Sequence, residues 1–190
     1  WFSVLLRPDL RPQAATQLTV AAATALFRAL REVTGVVPEI KWPNDLLIHG
    51  KKIAGMLTEL NAELDHIKHL VLGIGIDVNL SVEDLPEDLR SVASSLSIET
   101  GRTWRRADLA AAILRELDRA YERVNQRRFA GLAEEWERHC STLGRRVTIR
   151  VGDRRLTGRA ESLDEDGALL LRTEHGRLER IIGGDVTLEK

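Results

Sequence analysis

The chain has 190 residues, a formal net charge of −1 and 43% apolar residues. That suffices for one medium unit plus a small one, and it excludes wholesale disorder and a protein that coats nucleic acid through bulk charge. No apolar run approaches the roughly 20 residues that a bilayer span needs, and the single cysteine, Cys140, allows no internal disulfide, so a reducing, cytoplasmic setting is expected.

Trp1 to Leu6 is an apolar run of β-formers and predicts a core strand. It opens abruptly on Trp1, with no charged and apolar leader ahead of it, so an N-terminally incomplete chain is expected. Pro12 suits the first position of a helix. From Gln13 to Val33, apolar residues recur at Leu18, Ala21, Ala22, Ala25, Leu26, Ala29, Leu30 and Val33. This alanine-rich stripe predicts a helix that packs closely on a sheet, stopped by Gly35. Glu39 to Trp42, Leu46 to Ile48 and Lys51 to Leu60 predict strands. Pro43, Asn44 and Asp45 turn the first corner and His49-Gly50 the second. After a turn over Asn61 to Asp65, His66 to Val78 predicts a long strand. Leu70, Leu72, Ile74 and Ile76 lie on one face, and Val71, Gly73, Gly75 and Asp77 on the other.

Ser81 to Glu99 reads as loop and short helices. Arg106 to Asn125 and Phe129 to Cys140 predict two further helices by their apolar spacing. At Leu143 that period stops. Short β runs follow over Val147 to Val151, Arg155 to Ser162, Ala168 to Arg172, Arg177 to Ile182 and Val186 to Leu188, with glycine and aspartate turns between them. The pattern predicts an α+β chain with one unit over 1–142 and a small β-barrel over 143–190.

The chemistry concentrates in Lys41 to Gly55, which holds three of the five lysines in the chain. Lysine is a compact point charge suited to a phosphate or carboxylate oxygen. The hairpin reading brings Lys41, Asn44, Asp45 and Lys52 to one end of a sheet. There a cation, an amide and a carboxylate could bind an anionic substrate and direct an incoming amine. Each residue has a plainer explanation: Lys52 as a solvated edge lysine, Asn44 and Asp45 as an Asx turn. Taken as one constellation they favour the functional reading. The Gly73-Ile74-Gly75 run is no dinucleotide fingerprint, because the third glycine and the helix are missing, but glycine in a strand marks close approach of a ligand or backbone.

Other candidates fall away. Cys140 and His139 are neighbours on a helix and point apart, so they form no nucleophile–base pair. His66 and His69 fall on opposite faces of a strand, and no metal site is expected. Arg145, Arg146, Arg150, Arg154, Arg155 and Arg159 give the barrel a basic flavour, balanced by Asp153, Glu161, Asp164, Glu165 and Asp166. Nucleic-acid binding stays a minor alternative there.

Three runs taken in order then stand out: Lys41-Trp42-Pro43-Asn44-Asp45, Lys52-Ile53-Ala54-Gly55, and Gly73-Ile74-Gly75-Ile76-Asp77-Val78-Asn79. Together with Trp1 to Pro8, Ala93-Ser94-Ser95-Leu96 and the final β segment, the chain resembles the biotin protein ligases over essentially its whole length. The resemblance implies a fold like the catalytic domain of class II aminoacyl-tRNA synthetases, a mixed and largely antiparallel sheet flanked by helices, with a small C-terminal barrel. It implies activation of biotin by ATP to biotinyl-adenylate, then transfer to a lysine of a biotin carboxyl carrier protein. Lys52 would touch the biotin carboxyl and the α-phosphate, and Asp45 would orient the incoming amine. Lys41, Asn44, Gly55, Gly73, Gly75 and Asn79 would line the ligands, with Asn79 on the nucleotide. Mg2+ would accompany ATP. No nucleic acid or membrane partner is implied for this chain, and a homodimer is left open. A non-catalytic biotin- or nucleotide-binding protein of the same fold, or a lipoate ligase relative, are the alternatives. Two family segments, a Gly-Arg-Gly-Arg-x-Gly-Arg loop and a Ser-Thr-Asn segment, would precede Trp1. A family arginine near the end of the barrel has no counterpart in Thr187-Leu188-Glu189-Lys190.

Overall fold

Residue alternation builds the first sheet. β1 (Phe2–Leu6) and β5 (Ile67–Ile76) turn every second side chain inward, so Leu70, Leu72 and Ile74 are buried while Gly73 and Gly75 take the opposite face. With β2 (Glu39–Lys41), β3 (Asp45–Ile48) and β4 (Lys51–Ala62) they form a five-stranded sheet in the order β1-β5-β4-β3-β2. A computed structural model describes residues 1–188; the reading of the chain end at Glu189 and Lys190 falls outside the described residues. Every strand pair is antiparallel. Parallel pairing is confined, among the described residues, to the isolated bridges Ile40–Cys140 and Lys52–Ala93.

Helix α1 (Thr16–Thr34) carries the alanine stripe and buries Ala21, Ala22, Ala23, Ala25 and Ala29. These small side chains let it lie close to the sheet and to α3 (Arg106–Asn125). It ends on Gly35 in the left-handed region, φ 74°, a conformation that glycine adopts without penalty. The short α2 (Leu96–Thr100) is capped by Ser95, whose side chain accepts from the Ile98 amide at 3.1 Å. α4 (Ala130–His139) closes the helical layer and buries Trp136 completely.

The second sheet contains β6 (Arg146–Val151), β7 (Arg154–Leu163), β8 (Leu169–Thr173), β9 (Leu178–Ile181) and β10 (Asp185–Leu188), in the order β10-β6-β7-β8-β9. The expected barrel is not closed: among the described residues its edge strands β9 and β10 do not pair. One apolar core nevertheless runs from α1 and the first sheet through Trp136 into Val147, Ile149, Ala160 and Leu171. Two sets of polar contacts fasten the second sheet. At one, the Ser141 amide donates to Ile40 O at 2.8 Å and the Trp42 amide to Thr142 Oγ1 at 3.1 Å. At the other, Thr16 Oγ1 donates to Asp166 O at 2.6 Å and Gln17 Nε2 to Glu165 O at 2.9 Å.

The three long helices share one half-buried ionic junction. Arg28 of α1 grips Glu135 of α4 with both arms of its guanidinium, Nε to Oε1 at 2.9 Å, and lies 3.6 Å from Glu116 of α3. The hydrogen bonds from Arg28 hold the Glu135 carboxyl below the usual glutamate range, against the opposing effect of burial. A carboxyl depressed in the folded state contributes stability above its unfolded value, and that contribution is lost as pH falls through the folded value. Glu135→Gln should therefore cost about 1–2 kcal/mol at pH 7 and flatten the loss of stability on acidification. Urea midpoints at neutral and mildly acid pH measure this; equal pH slopes for the two proteins would remove the junction from the acid response.

Candidate active site

One transverse row of the first sheet gathers the candidate residues. In register across four strands stand Lys41, Asp45, Gly55 and Gly75. Directly opposed residues share a face, and Gly73, two places along β5, lies on that face too. Lys52 joins them through an irregularity. A spacing of three in a regular strand would put Lys52 and Gly55 on opposite faces. Between Leu46 and Leu47 the register of β3 on β4 shifts: Leu46 pairs with Ala54 and Leu47 with Lys52, so Ile53 is the extra residue of a bulge. Such a bulge re-aims side chains. Here it brings the Lys52 ammonium to 2.6 Å from Asp45 Oδ1.

Gly55 lies beneath this pair. A Cβ built there would stand 3.0 Å from both Lys52 Cε and Nζ and 3.3 Å from Asp45 Oδ1. The ion pair thus occupies the space that a side chain would take. Gly73 and Gly75 differ. A methyl at either meets nothing closer than 3.7 Å, so what these glycines leave is open room above the sheet. Together with Lys52, Gly55, Ser3, Met56 and Leu57 they line an open cavity of about 300 Å³.

The main chain of Lys52 is bracketed from outside the sheet. Its amide donates to Val92 O, and its carbonyl accepts from the Ser94 amide, both at 2.8 Å. Ser94 in turn donates to Glu99 Oε1 at 2.5 Å, and Glu99 Oε2 lies 2.6 Å from His49 Nδ1. The segment after β5 thereby holds the start of β4 in place.

Two expected contacts take other partners. Asn44 serves the turn: its Nδ2 donates to Met56 O at 2.5 Å, and its carbonyl accepts from the Met56 amide at 3.0 Å. It braces the rim of the cavity without lining it. Asn79 clips the Trp104 backbone instead, donating to Trp104 O and accepting from its amide, each at 2.9 Å.

One group near Lys52 had no role assigned from sequence. Burial raises the Asp77 carboxyl above the usual aspartate range, and the Lys52 charge pulls it the other way. The alternation that put Asp77 on the face of Gly73 and Gly75 was the available signal. The remaining candidates lie elsewhere. His139 stacks on Phe27 with ring centroids 4.1 Å apart, and burial pushes the Cys140 thiol up, the opposite of what a thiolate nucleophile requires. His66 sits between Glu63 and Asp65 in the exposed β4–β5 turn, where Lys68 also pairs with Glu63.

A half-exposed cation held by one carboxylate, above glycines on an open sheet face, can neutralise the charge of two anionic groups as they react, without an enzyme nucleophile. Comparisons with known proteins bear on which anions these are. The family described as Biotin/lipoate A/B protein ligase matches residues 1–77, and Biotin protein ligase C terminal domain matches residues 142–188. The bifunctional ligase/repressor BirA of Bacillus subtilis is 37% identical over 188 residues, 99% of this chain and 58% of the relative. The biotin–[acetyl-CoA-carboxylase] ligase of Paracoccus denitrificans is 30% identical over 178 residues, 92% of this chain and 74% of the relative. Among solved structures, the biotin protein ligase of Aquifex aeolicus in complex with biotin and ATP superposes with a TM-score of 0.79 at 28% identity, covering 99% of this chain and 78% of that one. The chain thus spans 58% of the length of the BirA relative from Bacillus subtilis.

Proposed function

The chain belongs to the biotin protein ligase family, and from that membership we propose that the protein activates biotin with ATP and transfers it to a lysine of a biotin carboxyl carrier protein. The observation that carries this reading is the Lys52–Asp45 pair, 2.6 Å apart, on the rim of a cavity lined by Gly55, Gly73 and Gly75. In the first step the biotin carboxylate attacks the α-phosphorus of ATP, the bond to the bridging oxygen breaks and pyrophosphate leaves. Two anions must meet, and Lys52 offsets their repulsion as charge shifts toward the leaving group. In the second step the neutral amine of the acceptor lysine attacks the acyl carbon of biotinyl-adenylate and AMP leaves. Asp45, already fixed by Lys52, orients that amine, which must be unprotonated to attack. Lys41 stands in the same row and adds positive charge at its far end. Asn44 keeps the turn in shape, and Asn79 positions Trp104.

Magnesium fits this site only as a companion of the nucleotide. It is bound through one or two carboxylates plus phosphate oxygens. Asp45 is engaged by Lys52, and Asp77 is a second carboxyl on which the Lys52 charge acts. Asp77 is thus the side chain that would meet a nucleotide-borne ion, and Lys52 remains the charge that the protein itself supplies. No helix among the described residues is long and apolar enough to cross a membrane, and a cytoplasmic setting accords with a substrate pair of ATP and a carrier protein.

The deciding experiment is ATP–pyrophosphate exchange with the protein as the cell makes it. Exchange should appear with biotin and not with lipoate. Tight biotin binding without exchange would instead assign a non-catalytic binding protein, and exchange with lipoate alone would move the chain to the lipoate branch.

A further inference from the structure

Lys52 sits where the regular sheet gives out. β5 pairs with β4 only as far as Ile76, which stands opposite Ala54. Nearer the start of β4, other partners take over. The Ile53 carbonyl accepts from the Asp77 amide at 2.9 Å, and Lys52 forms an isolated parallel bridge to Ala93. On its other side β4 meets β3 through the bulge. The main chain that carries the ammonium therefore draws its support from two pieces outside the regular ladder. One is the His49-Gly50 turn just before it, and the other is the Val92 to Ser94 segment beside it.

Glu99 of α2 joins these two pieces. Its side chain is 9% exposed, and a carboxylate so placed needs partners for its oxygens. Oε1 accepts from Ser94 Oγ at 2.5 Å, and Oε2 lies 2.6 Å from His49 Nδ1. Ser94 is buried, with 1% exposed. Burial would raise the Glu99 carboxyl, but the hydrogen bonds from Ser94 and His49, with the charges of His49 and Lys51, hold it below the usual glutamate range. At the turn, His49 takes a left-handed backbone, φ 50°, ahead of Gly50 at φ 76°. A residue with a Cβ disfavours that conformation, and the contact with Glu99 offsets the cost. Glu99 is not among the residues that line the cavity above Gly55, Gly73 and Gly75, and neither reaction step derived above uses it.

We propose that Glu99 is a positioning residue for the adenylation step: by clasping Ser94 and His49 together it fixes the main chain at Lys52, and with it the place of the ammonium beside Asp45. This rests on the ligase reading above. A misplacement of about 1 Å can cost about 100-fold in rate. A loosened support is out of place only part of the time, so the loss here is smaller.

The test uses the full protein and its biotin-dependent ATP–pyrophosphate exchange. Glu99→Ala should lower kcat about 10- to 30-fold and leave the biotin KM within about twofold. Glu99→Gln should bring kcat back to within about threefold of the unmodified protein, because its amide oxygen still accepts from Ser94 and its NH2 can donate to a neutral His49 ring. Ser94→Ala removes one hydroxyl, leaves the Glu99–His49 contact and should lower kcat about three- to tenfold; it decides the matter if Glu99→Ala does not fold. An unmoved kcat in either folded alanine variant overturns the positioning role. So does an equal loss in Glu99→Gln and Glu99→Ala, or a biotin KM that rises at constant kcat. Each of these, with normal exchange by the unmodified protein, leaves the ligase reading intact. No exchange by the unmodified protein overturns that reading and the role of Glu99 with it.

Discussion

Lys52→Ala should reduce biotin-dependent ATP–pyrophosphate exchange by about 10²- to 10³-fold, the usual loss when one preorganised donor to a developing charge is removed. The melting temperature should hardly move, because the Lys52 side chain is 48% exposed and makes one ion pair. Lys52→Arg should not restore the rate. A guanidinium is planar and larger than an ammonium, and Lys52 already fills the space over Gly55, where a Cβ would stand 3.0 Å from Nζ. A loss of kcat with intact folding would mark Lys52 as part of the chemistry. Near-normal exchange by the alanine variant would remove it from the mechanism.

Gly158→Ala should produce the largest loss of stability of any glycine-to-alanine change in this chain. The new Cβ would lie 2.3 Å from Arg172 O, 2.9 Å from Arg172 C and 3.1 Å from Leu171 Cγ. The backbone of Gly158 avoids the left-handed region, so space alone refuses the side chain. Two of those neighbours are main-chain atoms of a paired strand and cannot rotate away; β7 and β8 must part where Gly158 faces Thr173. Overpacking against a fixed partner costs about 3 kcal/mol or more. For a chain of this size that is a fall of roughly 6–12 °C in Tm. A shift under about 2 °C would mean that the strands have slack that the geometry does not display.

Much of the scaffold is legible in the sequence because its signals are local. The 3.6-residue apolar period places α3 at Arg106–Asn125 with the expected ends, and the alanine stripe and Gly35 bound α1 to within a few residues. Two-residue alternation in β5 already separates Leu70, Leu72 and Ile74 from Gly73, Gly75 and Asp77. What escapes depends on distant partners. The Ile53 bulge leaves no local mark, yet it alone explains how Lys52 and Gly55, three apart, meet on one side. Asn79 reads as a ligand contact because its type and place in a motif suggest one, but Trp104, 25 residues on, engages both ends of its amide. Short strands with turn residues between them announce a curled sheet. Whether β9 meets β10 is a matter of closure between chain-distant edges, which periodicity does not encode.

The mounting of the second sheet has a mechanical consequence. Held at Ile40 and Trp42 on one side and at the entrance to α1 on the other, it has no single pivot about which to swing. The Trp42 mount is made by the strand and turn that carry Asn44 and Asp45, so a disturbance of the second sheet is felt first at the catalytic turn. Thr142→Val, which removes the acceptor of the Trp42 amide, should therefore loosen that turn while the mount at Thr16 and Gln17 still holds the sheet.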